Sequence, residues 1–223
     1  RTAPGLLGKT TTPATPSRGA MTACGSALAA LGGGAGAGPV LGVFSGAGAA
    51  VTADAAFTPN WAVDAEPSSI SFSGTHDGNV FSGSFSNWDA AIQFDPAAPS
   101  AGEVRVTVST GSAQANQKLY TDSLPSPEWF NTAAFPTASV EILDIADNGD
   151  DTYGSTARLT LKELTVDAAF PFSLTLDGTN ARMTGQAVFQ RTALDLGQGS
   201  DPNADWVSED VTVDVVVEAS RTD

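Results

Sequence analysis

"FPFSLTLDGTNARMTGQAVF", residues 170–189, reads as two strand patterns joined by a turn. Phe170, Phe172, Leu174 and Leu176 alternate with Pro171, Ser173, Thr175 and Asp177, and Met183, Ala187 and Phe189 fall on one face after the break. Alternation of this kind marks a half-buried strand, because successive side chains leave a strand on opposite faces. Between the two runs, "LDGTN" carries the Asp/Asn/Gly chemistry that reverses a chain. The stretch predicts an antiparallel hairpin with one apolar face.

The same pattern recurs from Trp61 onward. "SSISFSGT" sets Ile70 and Phe72 among serines, "EVRVTVST" puts Val104, Val106 and Val108 opposite Arg105 and Thr107, and "ARLTLKEL" aligns Leu159 with Leu161. The last run, "DVTVDVVVEAS", aligns Val211, Val213, Val215 and Val217. "HDGN", "DPAAPSAGE", "DNGDD" and "GSDPNAD" separate these runs as turns or loops. Many short strands joined this way give an all-β sandwich or barrel. A closed antiparallel barrel of about eight strands is favoured, because so few strands are protected as edges. Little in the sequence reads as a long amphipathic helix.

One stretch breaks the pattern: "SLPSPEWFNTAAFPTA", residues 123–138, packs three prolines and three aromatics together. Pro125, Pro127 and Pro136 remove ladder donors, so it is no ordinary strand. Trp129, Phe130 and Phe135 are too large and apolar to face water, so the stretch must lie against something.

Charge divides the chain. Residues 1–53 hold three basic residues and no acidic one, whereas the rest holds seven basic and 25 acidic residues, a net −18. So acidic a domain repels nucleic acid and anionic headgroups, having neither phosphate pairing nor counterion release to offer. Cys24 stands alone, which excludes an internal disulfide framework and any multi-cysteine metal or redox motif. Residues 1–58 form a basic and then uncharged lead-in to a domain over 59–221. Its Gly/Ala-rich part, residues 19–53, admits three readings: a membrane or stalk segment, an export signal, or a flexible linker. The basic residues before it and the acidic domain after it fit the positive-inside arrangement. "MTAC" at residues 21–24 looks like a lipoprotein box, but no apolar run precedes it. A chain that opens on Arg1 is expected to be processed or to be the tail of a longer protein.

These residues resemble the YceI-like domain family. "WAVDAEPSSISFSGTHDGN", residues 61–79, is similar to the family's opening Trp-x-Val-Asp and Ser-Ser-Ile-x-Phe run with its histidine, and "FSGSFSNWDAAIQFDP" supplies the next strands. Leu124, Ser126, Pro127, Glu128, Phe130, Phe135, Pro136 and Thr137 fit the family's Pro- and Phe-bearing connection. "LTLKELT" and "FQRTALDLG" fit two later strands, with departures at Glu163-Leu164, where the family has Gly-Val, and at Leu194-Asp195. The resemblance implies an extended lipocalin-like barrel with a short helical connection, often periplasmic, that binds a polyisoprenoid such as a quinone tail and needs no resident cofactor. The chain also looks like the YceI-like domains fused to a bacterial membrane cytochrome b, which implies that cytochrome as a partner, with membrane tethering and a homodimer as further expectations.

By that resemblance the binding residues are the aromatics and the aligned leucines. Phe72, Phe81, Phe85, Trp88 and Phe94 come from the first strands, and Trp129, Phe130 and Phe135 from the connection, which would cross the barrel's side or mouth. Leu159, Leu161, Phe170, Phe172, Leu174 and Phe189 come from the later strands. Gly83, Ala91, Gly185 and Ala187 would leave a narrow apolar channel if they point inward. The alternative is that the aromatics merely fill a core.

Other chemistry is weakly supported. His76 is the one histidine, so neither a two-histidine metal site nor a Ser-His-Asp triad can be built; it could bond a ligand head group or simply a neighbour. "DIADNGDD", residues 144–151, lacks the calcium-loop progression and reads as a turn with solvated charges, as does the loop bearing Asp201 and Asp205. No carboxylate pair stands out for glycoside hydrolysis, and "GGGAGAG" lacks the lysine of a phosphate loop. An enzyme acting on a bound lipid would need a carboxylate or His76 inside the channel.

Overall fold

The structure is a computed structural model and describes residues 57–222. The three readings of residues 19–53 lie outside the described residues. Eleven strand segments build one all-antiparallel sheet. Three of the staves are broken in two, so the sheet is an eight-stave meander.

β1 (Trp61–His76) turns through Asp77 and Gly78, at φ 48° and 73°, into β2 (Asn79–Phe85) and its continuation β3 (Trp88–Gln93). Positive φ at both positions is the primed two-residue turn that matches strand twist. β4 (Glu103–Ser109) and β5 (Ala113–Ala115) form the next stave, and the helix α1 (Lys118–Ser123) follows directly. Then come β6 (Thr137–Gly149), β7 (Thr152–Leu161), the broken stave β8 (Leu164–Ala169) with β9 (Phe172–Asp177), β10 (Asn180–Gln190) and β11 (Asp210–Arg221). β11 pairs back onto β1 and closes the barrel, which leaves its main staves without free edges. The opening stretch, residues 170–189, is the β9–β10 hairpin and its flanks, with Asn180 opposite Asp177.

β1 contains Pro67, which a central strand would not tolerate. The ladder with β11 jumps from Asp64 to Ser69, so Pro67 lies in a bulge with no ladder bond to lose. Ser68 Oγ fills the gap, donating to Asp64 O at 2.6 Å and accepting from Glu218 N at 2.9 Å.

The barrel has two distinct ends. β1 begins and β11 finishes at the terminal end. The β1–β2 turn, α1 and residues 124–136 lie at the other, called here the mouth. The helix precedes the proline-rich stretch rather than forming part of it. Residues 124–136 are a chain of turns held by Phe130 N donating to Leu124 O, Trp129 N to Ser126 O and Phe135 N to Asn131 O, each at 2.9–3.0 Å.

The candidate site: an apolar interior and its mouth

Inward positions of the strands enclose two voids. The terminal void, about 80 Å³, is lined by Trp61, Phe94, Ile142, Phe170, Phe172 and Leu174 among others. Two of its aromatics pack on the buried Tyr153: Phe94 edge to face at 5.6 Å and Phe172 stacked at 5.0 Å between ring centres. Trp61 Nε1 donates to Phe94 O at 2.9 Å, so the one polar atom of that indole is satisfied.

The mouth-side void, about 150 Å³, is lined by Phe72, Phe81, Phe85, Leu159, Leu161 and Phe189 from the strands, and by Trp129 and Phe130 from the connection. Phe130 packs on Phe85 at 5.9 Å between ring centres, which is how the connection seals the barrel there. A third pocket, about 260 Å³, opens at the mouth between β1, β2 and α1. It shares Phe72, Phe81, Leu124, Trp129 and Val207 with the void beneath, so the two adjoin. Its polar lining is His76, Tyr120 and Ser123. His76 Nδ1 lies 3.0 Å from the Tyr120 hydroxyl, with the rings edge to face. Val80, Leu119 and Trp206, the most exposed large apolar side chains described, belong to the hairpin, helix and loop around this opening.

A waist separates the two voids. On β11, Val217 faces the terminal void and Val213 the mouth-side one; Val215 between them lines neither. Gly185 pairs with Val215 at that level. A Cβ on Gly185 would lie 2.5 Å from Cζ of Phe170, and one on Gly83 would lie 2.3 Å from Cζ of Phe72. Both glycines point inward, but the space that they leave is occupied by phenylalanine rings rather than left as a channel. Ala91 pairs with Arg105 on the outer face and contributes nothing to the interior. Ala187 is inward and buried.

Of the aromatics singled out in the sequence, Trp88 packs on the core without lining a void, and Phe135 is half-buried in the connection. Phe135 serves by its backbone: its carbonyl accepts a bond from the buried Thr110 hydroxyl at 2.7 Å. Met183, aligned with Ala187 and Phe189 in the sequence, also packs on the interior; Tyr153, Leu194 and Leu196 complete it and were not singled out: period-two spacing would have found Tyr153, whereas Leu194 ends a 3₁₀ turn and Leu196 follows it, with no strand pattern.

The expectation of solvated charge fails at Asp201, which is buried and bound to Arg191. Arg191, 1% exposed, is one wall of the mouth-side void. Its guanidinium donates to Asp201 Oδ2 at 2.7 Å, Leu196 O at 2.8 Å and Val207 O at 3.0 Å. Asp201 in turn accepts from the backbone N–H groups of Asp205, Trp206 and Val207 at 2.8–3.2 Å. These bonds, that from Val207 foremost, hold its carboxyl below the usual carboxylate range. Glu128 is lowered too, chiefly because the backbone N–H and then the hydroxyl of Ser200 donate to it at 2.8 and 2.9 Å. Of the charges of "DIADNGDD", Asp150 and Asp151 form the turn between β6 and β7, with φ of 53° and 58°, whereas Asp144 and Asp147 lie within β6.

A closed up-and-down barrel with an apolar interior, capped at one end by a helix and loops, defines a lipocalin-like class. Within it, residues 61–219 match the family model described as the YceI-like domain, and the chain belongs to that family. A UPF0312 protein of Shewanella denitrificans is 31% identical over 160 residues, covering 69% of this chain and 82% of its own. A UPF0312 protein of Azotobacter vinelandii is 32% identical over 83 residues, but the match spans only 43% of that relative. Among solved structures, BcnA of Burkholderia cenocepacia aligns with a TM-score of 0.68 at 24% identity, over 71% of this chain and all of BcnA. A polyisoprenoid binding domain from Saccharophagus degradans, implicated in plant cell wall breakdown, aligns at 0.60 with 16% identity, over 74% of this chain and all of that one. At these identities the structural likenesses speak for the fold.

Proposed function

We propose that this domain binds and shields the hydrocarbon chain of a polyisoprenoid lipid, such as an isoprenoid quinone, outside the cytoplasm and without chemistry on it. The observation that carries the reading is the lining. Every side chain around the two voids is apolar except Thr110 and Arg191, and both of these are satisfied within the protein. Such a surface offers area but no reactive group: no carboxylate lines either void among the described residues. Burial of a prenyl tail would be driven by about 25 cal/mol per Å² of apolar area. The name of the Saccharophagus degradans neighbour supports the same ligand class. Export, membrane tethering, delivery to a membrane cytochrome b and dimerisation extend this proposal from the sequence resemblance.

The modest size of the voids favours a second reading, a filled barrel that works through its surface. The voids are smaller than the roughly 300 Å³ at which small-molecule pockets begin, so a tail must displace side chains as it enters. Native mass spectrometry of the chain purified from a bacterial host, followed by organic extraction, separates the two. A discrete mass increment that extracts as a prenyl lipid is expected. A clean apo mass that persists after incubation with quinones of several tail lengths sinks the carrier reading.

A further inference from the structure

We infer that the mouth pocket is a head-group site for a neutral carbonyl or hydroxyl, and that it rejects prenyl phosphates and diphosphates. This rests on the carrier reading and adds the chemistry of the ligand's polar end. The pocket adjoins the mouth-side void, so a tail lying in that void would bring its head group here.

The polar atoms available suit an uncharged oxygen. Among the described residues, the hydrogen bond recorded for the His76 ring is that between Nδ1 and Tyr120. With a neutral imidazole, either tautomer leaves the same offer. If the Tyr120 hydroxyl donates to Nδ1, then Nε2–H remains as a donor and the phenolic oxygen as an acceptor. If Nδ1–H donates to the phenol, then the Tyr120 O–H remains as the donor and Nε2 as the acceptor. One donor and one acceptor at the rim of an apolar channel match a quinone carbonyl or a prenol hydroxyl. Ser123 Oγ, already donating to Leu119 O at 2.8 Å, can add only an acceptor.

An anionic head group meets no basic side chain besides the His76 imidazole. No lysine or arginine lines the pocket. Lys118, on the same helix, is paired with Asp122 at 2.7 Å. Arg191 lies deeper and is committed to Asp201 and to backbone carbonyls. Asp77 and Asp122 adjoin the pocket residues His76 and Ser123 in the chain. A diphosphate seated here would exchange water for the single His76–Tyr120 donor and no lysine or arginine, which leaves most of its charge uncompensated, the costly case.

The test compares ligands of one tail length on the purified full chain: geranylgeraniol, a menaquinone carrying the same geranylgeranyl tail, geranylgeranyl diphosphate, and the head-group-free hydrocarbon phytane. Tryptophan quenching reads binding, with Trp129 in the pocket wall. The neutral alcohol and quinone are expected to bind at least about tenfold tighter than the diphosphate, following the cost of an unpaired charge. Tyr120→Phe should weaken the alcohol and the quinone about three- to tenfold, the worth of one hydrogen bond, and leave phytane unchanged. Diphosphate binding as tight as the alcohol overturns the head-group site while leaving the carrier reading intact. Equal losses for phytane and the alcohol in Tyr120→Phe would show that this ring only packs, and overturn it too. Failure of all four ligands to bind removes the carrier reading, and this inference with it.

Discussion

Glu163 sits at φ +66° beside Lys162 at +51° in the two-residue turn between β7 and β8. A residue with a Cβ strains in that region, and the family pattern has glycine at this position. Lys162 has a compensating role, since its Nζ donates to Asp195 O at 2.7 Å; Glu163 is exposed. Glu163→Gly is therefore expected to raise stability by about 1 kcal/mol, seen as a higher urea midpoint at unchanged slope. Gly185 is the opposite case. Gly185→Ala drives a methyl into the Phe170 ring and should cost about 1–3 kcal/mol. Adding Phe170→Leu to Gly185→Ala should recover most of that loss, and a strictly additive double mutant would show that the two do not touch. The sequence left open whether Gly83 and Gly185 point inward, and the structure places both on the inner face. Alternation could not show what faces them, because a ring from a neighbouring or opposed strand fills the gap and spacing along one strand carries no trace of it. The same limit left Ala91 ambiguous: one residue of register separates inside from outside.

The mouth elements are fastened by charged side chains as well as by backbone bonds such as Asp77 N to Trp206 O at 2.8 Å and Ser208 N to Thr75 O at 2.9 Å. Arg191 and Asp201 tie residues 196–208 to the end of β10, and Glu128 ties the proline-rich connection to Ser200 and, through its carbonyl, to Gly197 N at 2.9 Å. Arg191→Met is expected to cost about 3–5 kcal/mol, because it leaves Asp201 buried without its cation. Acid acts on the same fastening. Asp201 and Glu128 are held below their ordinary values in the folded chain, so their contribution is complete above the usual carboxylate range and is lost as pH falls through their lowered values. Lowering the pH below about 4 should shift the emission of Trp129 to the red while far-UV circular dichroism still reports an intact barrel. Coincident loss of both signals would show that the loops and barrel open as one unit. None of this was legible in "GQGSDPNAD", which has the composition of an ordinary surface loop. Burial there is imposed by Arg191, ten residues away in the chain. The proline-rich stretch was more readable, since aromatics that cannot face water require a partner, and the partner is Phe85 at the barrel mouth. The helix was displaced in expectation because α1 is six residues long, too short to show a period.

For the whole molecule, the meander, its closure and its apolar lining follow from alternation and turn chemistry, so the architecture was the most legible part. The division of the interior was not legible, since it depends on how rings from different staves meet at one level. That division has a functional consequence. With Phe170 lying across Gly185 at the waist, a prenyl tail entering from the mouth first fills the mouth-side void and then meets a closed level. Affinity should therefore rise with tail length and then stop rising, even though each further buried CH₂ is worth about 0.8 kcal/mol where there is room for it. Phe170→Ala joins the two voids, and in that variant affinity should continue to climb with longer prenols. The truncation itself costs about 3–5 kcal/mol of stability, so circular dichroism must first show a folded barrel; Phe170→Leu, a smaller change, provides an intermediate opening with less loss. Titration of a prenol series against the three proteins checks the order: an early plateau for wild type, a later one for Phe170→Leu, the latest for Phe170→Ala. Identical plateaus in all three would mean that the Phe170 ring swings aside without cost as the tail arrives, and that the waist does not set the length of chain the barrel takes.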